Sequence, residues 1–346
     1  MNLATEYNDN ILASDTDIEG DIVQAITPQF ILGMGDFQQK DEDYATLSYQ
    51  PSLNYYDFHP NENRVNQTLD IAAKETFSRY STTLDLSYVN NNQSTATQSG
   101  LNAYQIFQFA WNNSYYLGGK TFVQLNASAS NQHYESPQET YNTVTVNPAL
   151  GYEYSPKTTI TVGPFAGTTY IKGGGTQSFQ GLNLGVTWSN LKKLTFNGTI
   201  GVQAQQFNGQ NLTGASNFVT PVFDLGAGYK PFINTQLGLD LSRNIQLSNG
   251  IQGQTYTNNQ LEFNASQLIF QKFTLSLALT YQHLQYQGSG PSRLDNYWLV
   301  VPSIGYHFWR DTCFVSVYYR RQQRDSNQQT FGYMVNAYGI QFTYNF

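Results

Sequence analysis

The chain has 346 residues, of which 12% are charged and 15% aromatic, with 26 Tyr, 22 Phe and a formal net charge of −7. Many aromatics with so little charge exclude intrinsic disorder, and an acidic balance with scattered basic residues argues against nucleic acid as a partner. The one cysteine, Cys313, cannot form an internal disulfide or supply a zinc cluster. No apolar run reaches the roughly 18 residues of a membrane helix, a test that membrane barrels escape because their two faces alternate and average to a polar score.

The start, "MNLATEYNDN", has neither the basic segment nor the apolar core of a signal peptide. An exported chain is expected to have lost that segment already. The first predicted strands are "NLATEYNDNIL" and "DIVQAITPQFILG", which alternate poorly, followed by "STTLDLSYV". In "GLNLGVTWS", Leu182, Leu184, Val186 and Trp188 alternate with Asn183, Gly185, Thr187 and Ser189. "KLTFNGTIGVQAQ" and "TQLGLDLS" repeat the arrangement, as does "KFTLSLALTYQ", with Phe273, Leu275, Leu277, Leu279 and Tyr281 on one face. The chain ends on "YGIQFTYNF", which sets Tyr338, Ile340, Phe342, Tyr344 and Phe346 on one face. Period 2 over this many segments, with no helical period, makes this an all-β chain.

Two kinds of break separate the strands. Tight ones fall at Ser78-Arg79, Gly118-Gly119-Lys120, Ser155-Pro156-Lys157, Leu191-Lys192-Lys193, Lys230-Pro231, Gln271-Lys272 and Arg310-Asp311. Longer polar ones include "HPNEN", "NNNQSTATQSG", "NGQNLTGAS" and "RDSNQQT". Successive tight turns lie about 38 residues apart, two membrane-crossing strands with their turn and loop. This predicts a transmembrane antiparallel up-and-down β-barrel, one domain over residues 1–346. It has about 18 strands, 16 being the alternative, with short periplasmic turns and longer extracellular loops. Such a barrel is roughly 30–35 Å across the backbone and leaves an aqueous channel unless loops fill it. A soluble sandwich gives no reason for loop lengths to segregate by end.

The segments "LATEYNDNILASDTD", "TPQFILG", "LSYQPSLNYYDF" and "NQTLDIAAKETFSRYSTTLDLSYV" resemble a family of outer-membrane β-barrel porins, some encoded beside exopolysaccharide-export genes. The phrase "TEYNDNI" carries most of the likeness, which covers roughly the first quarter of the chain. The resemblance implies a bacterial outer-membrane location and a barrel fold. Periplasmic polysaccharide-export components are the further partners it implies.

With the apolar set of each strand facing lipid, its polar partners face the lumen. The charged lumen candidates are Asp70, Lys74, Asp85, Asp224, Asp240, Glu262 and Arg320, beside the amides Asn183, Asn197, Gln203, Gln205, Asn264 and Gln282. Amides both donate and accept hydrogen bonds, which suits neutral sugars. An excess of carboxylates biases passage toward cations. A water-filled lumen needs polar side chains in any case, so solvation alone also accounts for each residue. Tyr55-Tyr56, Tyr115-Tyr116, Tyr318-Tyr319 and Trp309 read as an interfacial girdle. The C-terminal face Tyr338 to Phe346 is expected to lie against lipid and resembles the signal read by the barrel-assembly machinery.

"DTDIEGD" sets Asp15, Asp17 and Glu19 ahead of Gly20 like the start of an EF-hand loop. Ile26 stands where the bidentate Glu belongs, so the stretch reads as an acidic loop with at most a weak divalent-cation site. The four histidines are His59 and His133 in or near loops, His283, and His307 on the lumen face with no nucleophile beside it in sequence. No enzyme and no cofactor are expected. The expected function is a porin-like channel for small polar solutes through a mildly acidic, amide-rich lumen, in contact with outer-membrane lipid and lipopolysaccharide. A conduit for exopolysaccharide export is the alternative. A surface barrel whose loops bind a ligand or another cell is a second alternative.

Overall fold

Successive staves of the chain pair with one another, and the last returns to the first. The computed structural model describes residues 1–37, 42–95, 98–135, 139–172, 175–190, 193–208, 217–248, 254–288, 292–309 and 312–345. The strands are β1 (Asn2–Asn8), β2 (Asp21–Thr27), β3 (Phe30–Gly35), β4 (Tyr44–Tyr56), β5 (Arg64–Thr76), β6 (Tyr80–Thr95), β7 (Gln98–Gly118), β8 (Thr121–Tyr134), β9 (Glu139–Ser155) and β10 (Thr158–Ile171). They continue as β11 (Gly175–Asn190), β12 (Leu194–Asn208), β13 (Phe218–Tyr229), β14 (Thr235–Leu247), β15 (Gln254–Ile269), β16 (Phe273–Gly288), β17 (Leu294–Phe308), β18 (Cys313–Ser326) and β19 (Tyr333–Tyr344). All pairings are antiparallel, and β1 closes the ring between β2 and β19. β2 and β3 are halves of one stave. Both pair with β4, and the break falls at Pro28, which has no N–H for a ladder. The barrel therefore has 18 staves, as the hairpin spacing predicts.

The tight turns gather at one end, which we term the turn end, and most longer connections at the other, the loop end; "NNNQSTATQSG", predicted as a long loop, instead extends β6 and β7, parted by residues 96–97 alone, while residues 36–43 make a longer connection at the turn end. Lys272 N–H closes on the Ile269 carbonyl across a two-residue turn. Phe270 and Gln271 there have φ of 50° and 57°, the hand that matches twisted hairpin strands.

Closure satisfies the backbone within the wall and leaves no edge like that of an open sheet. Outer positions are apolar and uncovered: Leu182 is 57% exposed, Val219 68% and Ile340 50%. A continuous belt of this kind far exceeds the few hundred Å² of apolar patch that a soluble monomer shows. The barrel is transmembrane, and lipid covers the belt.

The paired tyrosines do not form a simple girdle. Adjacent residues on a strand face opposite sides, so each pair divides. Tyr56 is buried inside against Arg64, the Tyr116 hydroxyl donates to Glu153 Oε1 at 2.6 Å, and the Tyr318 hydroxyl donates to Glu6 Oε2 at 2.9 Å. Their neighbours Tyr55, Tyr115 and Tyr319 take the outer face.

Inward aromatic rings would clutter the channel if they projected into it. Instead they lie flat over glycines of the neighbouring strand. Phe122 covers Gly151, Phe179 covers Gly167, Phe165 covers Gly181 and Tyr318 covers Gly339, each directly opposite in register. A Cβ at any of these glycines would overlap the ring. This cross-strand pairing of Gly with an aromatic preserves sheet packing where a side chain is missing. It also removes Phe122 and Phe165, both buried, as free stacking surfaces for a solute.

Candidate functional site

The β13–β14 ladder is the place where the wall departs from regularity. It runs only from Tyr229↔Leu237 to Phe223↔Arg243. Toward the loop end, β13 continues along β12 and β14 continues along β15, but β13 and β14 part. Pro221 stands at the fork. In an antiparallel ladder the N–H and C=O of a residue point to the same neighbour, and Pro221 has only the C=O. That carbonyl accepts from Arg243 Nε at 3.1 Å, while Arg243 Nη1 donates to Asn259 Oδ1 at 2.8 Å and Nη2 to Thr220 Oγ1 at 3.3 Å. One guanidinium thus spans the gap from β13 to β15.

Beyond the fork the β14–β15 hairpin folds into the lumen. Residues 254–258 are all buried, outer-register Thr255 and Thr257 included, which a hairpin standing in the wall could not achieve. Leu247 packs against the cluster of Tyr141 and Ile171, on which Tyr134 and Phe207 also pack; these four come from the inner face of β8, β9, β10 and β12. The Tyr141 hydroxyl donates to the Ser248 carbonyl at 2.8 Å across the barrel. Within the hairpin, the Tyr256 hydroxyl donates to Gln246 Oε1 at 2.5 Å.

On its other side the hairpin meets a rigid post. Tyr256 packs on Tyr286 with ring centroids 5.1 Å apart. Arg293 lies 4.2 Å from the Tyr286 centroid and 3.6 Å from that of Phe331, and its Nε donates to Asp295 Oδ2 at 2.8 Å. Arg324 donates to the Phe331 carbonyl and packs on Tyr333. All three charged groups are fully buried, a state tolerated only with such pairing. The β1–β2 loop adds a second inward element: Ala13 packs on Tyr297, Tyr333 and Val335, and Asn10 Nδ2 donates to the Met334 carbonyl at 3.0 Å.

Between the hairpin and the wall lies a cavity of about 560 Å³. Its polar lining is dominated by amides from both sides, among them Gln132, Gln177, Gln203, Gln205, Asn258 and Gln282, with rings of Tyr141 and Tyr256. No charged residue lines it.

The predicted lumen charges group differently. Asp240 and Glu262 stand directly opposite each other, and Asp240 also faces Gly226, two residues from Asp224. Glu262 accepts from Gln260 at 2.5 Å, and Gln260 accepts from Gln282 at 3.0 Å, which ties this patch to the inner face. Asp85 faces Ala72, between Asp70 and Lys74 on one face of β5. Arg320 is bound by Glu6 Oε1 at 2.5 Å, so its charge is cancelled locally. Glu6, Glu153, Arg64, Arg293, Asp295 and Arg324 also face inward and were missed. Alternation in "LATEYN" could have revealed Glu6. The buried loop-end charges follow from inward folding, which no periodicity reports.

The outward C-terminal face holds as far as Tyr344: Tyr338 packs on Tyr319 and Phe342 on Phe308. Phe346 lies outside the described residues. Among the described residues no cluster of His, Cys, Asp and Glu could hold a metal. Asp15 and Asp17 are exposed, while Glu19 turns to His59 Nε2 at 2.8 Å and Asp21 to His59 Nδ1 at 2.8 Å. His307 Nε2 lies 2.9 Å from the Thr274 hydroxyl, a contact between neighbouring strands.

No protein-family profile and no curated protein sequence matches the chain. Its barrel is similar to the copper transporter OprC, with a TM-score of 0.51 at 9% identity over 96% of this chain and 62% of that one. The unliganded ferric citrate transporter FecA gives a TM-score of 0.51 at 9% identity over 98% and 63%. OccAB4 of Acinetobacter baumannii gives 0.46 at 10% identity over 98% and 96%. The chain spans less than two thirds of the first two, and the likeness to those two, at 9% identity, is one of fold.

Proposed function

We propose that the protein is an outer-membrane, porin-like channel that passes small polar solutes by diffusion. The carrying observation is the β14–β15 hairpin folded inward within a closed barrel, beside a cavity bordered by uncharged amides. The barrel's inner carboxylates, Asp70, Asp85, Asp224, Asp240 and Glu262, outnumber the basic residues of the predicted set, Lys74 and Arg320, and favour cations where ions pass. No chemistry is needed for this role, and no cofactor. The apolar belt would meet lipid and lipopolysaccharide, and the C-terminal aromatic face would be read by the barrel-assembly machinery. An exopolysaccharide conduit, the alternative implied by the N-terminal resemblance, would need the hairpin to swing clear of the axis.

Planar-bilayer conductance and liposome swelling test the reading together. Stepwise channels with swelling that declines as sugar size grows are expected. A barrel that neither conducts nor swells liposomes would favour instead the surface barrel whose loops bind a ligand or another cell.

A further inference from the structure

We infer that the cavity between the β14–β15 hairpin and the wall is a binding site for a neutral sugar, of the size of a mono- or disaccharide. The inference rests on the channel reading for its route of access but on separate observations for the site. Most polar groups around the cavity already have partners: Gln177 Nε2 donates to Gln205 Oε1 at 2.8 Å, and Gln282 Nε2 donates to Gln260 Oε1 at 3.0 Å. Two do not. Gln205 Nε2, a donor, and Asn258 Oδ1, an acceptor, are buried without a hydrogen-bond partner. Gln205 is 1% exposed and Asn258 4%, and both line the same cavity from opposite sides, wall and hairpin.

An unsatisfied buried polar group costs about 1–3 kcal/mol, so such a pair calls for an occupant. One orphan donates and the other accepts. A carboxylate or phosphate would suit Gln205 and be repelled by Asn258 Oδ1, and an ammonium would do the reverse. A hydroxyl does both, accepting from one and donating to the other. The absence of charge in the lining selects against ions again. At about 560 Å³ the cavity falls within the usual range of small-molecule sites. Because the hairpin supplies half of the site, occupancy would also hold the hairpin inward and slow ion flow.

The test adds maltose to the purified barrel in planar bilayers, with sodium gluconate as the charged comparator, and titrates maltose calorimetrically into the detergent-solubilised protein. Maltose should reduce the ion current saturably, and gluconate at matched viscosity should not. Gln205→Leu and Asn258→Leu should each raise the half-blocking maltose concentration about tenfold, the scale of one buried hydrogen bond, with block read as a fraction of each variant's own open-channel current. Each variant is first checked for heat-dependent gel mobility, and the maltose–gluconate comparison on the parent stands even if a variant does not fold. Conductance without a saturable maltose effect, or an effect that both variants retain, overturns the site. Calorimetric binding without conductance supports the site and overturns the channel.

Discussion

Arg243 donates through Nε to the backbone carbonyl of Pro221, 3.1 Å away, at the fork where β13 and β14 part. The contact joins the last regular rung of the wall to the root of the inward hairpin. Replacing Arg243 with Ala should loosen that root while leaving the ladder from Phe223 to Tyr229 intact. Single-channel recordings should then show more frequent closures and openings, with unchanged heat-dependent mobility on gels. A quiet channel identical to the parent would mean that the hairpin is held elsewhere.

Tyr141→Phe removes the hydroxyl that reaches the Ser248 carbonyl and nothing else of the ring. The loss is worth about 1 kcal/mol, a severalfold shift between hairpin positions. Mean conductance should rise or flicker should increase. The double variant with Arg243→Ala should exceed either change alone.

The carboxylates offer a charge test. Asp224→Asn, Asp240→Asn and Glu262→Gln together keep the shapes while removing three negative charges. The reversal potential in a salt gradient should move toward anions, most clearly at low salt, where the screening length exceeds about 10 Å. Asp240→Asn alone should also stabilise the barrel by a few tenths of a kcal/mol, since like charges directly opposite on a sheet repel. Unchanged selectivity would remove these groups from the conducting path.

Glycine replacements separate wall notches from open positions. Gly151→Val should displace the Phe122 ring and cost about 1–3 kcal/mol, read as a lower urea midpoint. At Gly238 the nearest atom to an added Cβ is 3.8 Å away, so Gly238→Ala should be neutral or slightly stabilising. Equal effects at both sites would show that the notch has no role in packing.

Deleting Phe346 should lower the amount of folded protein in the outer membrane without altering conductance in barrels that do fold. Normal insertion would leave the terminal face as lipid-facing packing only.

The stave count, the antiparallel order and the inner-face register of Asp240, Glu262, Gln203 and Gln282 were legible because each follows from period 2 and turn spacing. The constriction was not. Ile245 and Leu247 alternate with Asn244 and Gln246 as in any wall strand, and only the missing N–H of Pro221 hints that the wall ends there. The sugar-suited amides were visible as a composition. Their pairing into satisfied and unsatisfied groups depends on where the hairpin lands, a long-range outcome invisible to local pattern. Likewise, the tyrosine doublets were read by their position near strand ends, whereas strict alternation already required one ring of each to turn inward.

The ring closes between Asn2 and Thr343, positions nearly the whole chain apart. No amount of local pairing can make that contact early, so closure waits until the final stave has formed. Until then β1 and β19 each present a row of bare amides, the kind of edge that recruits strands from other molecules. The Glu6–Arg320 bridge, which spans the same closure, can form only at that moment. The first seven-residue strand, short and weakly patterned, thus serves as the latch of the assembly, and the time it spends unlatched sets the window in which the unfinished barrel can aggregate.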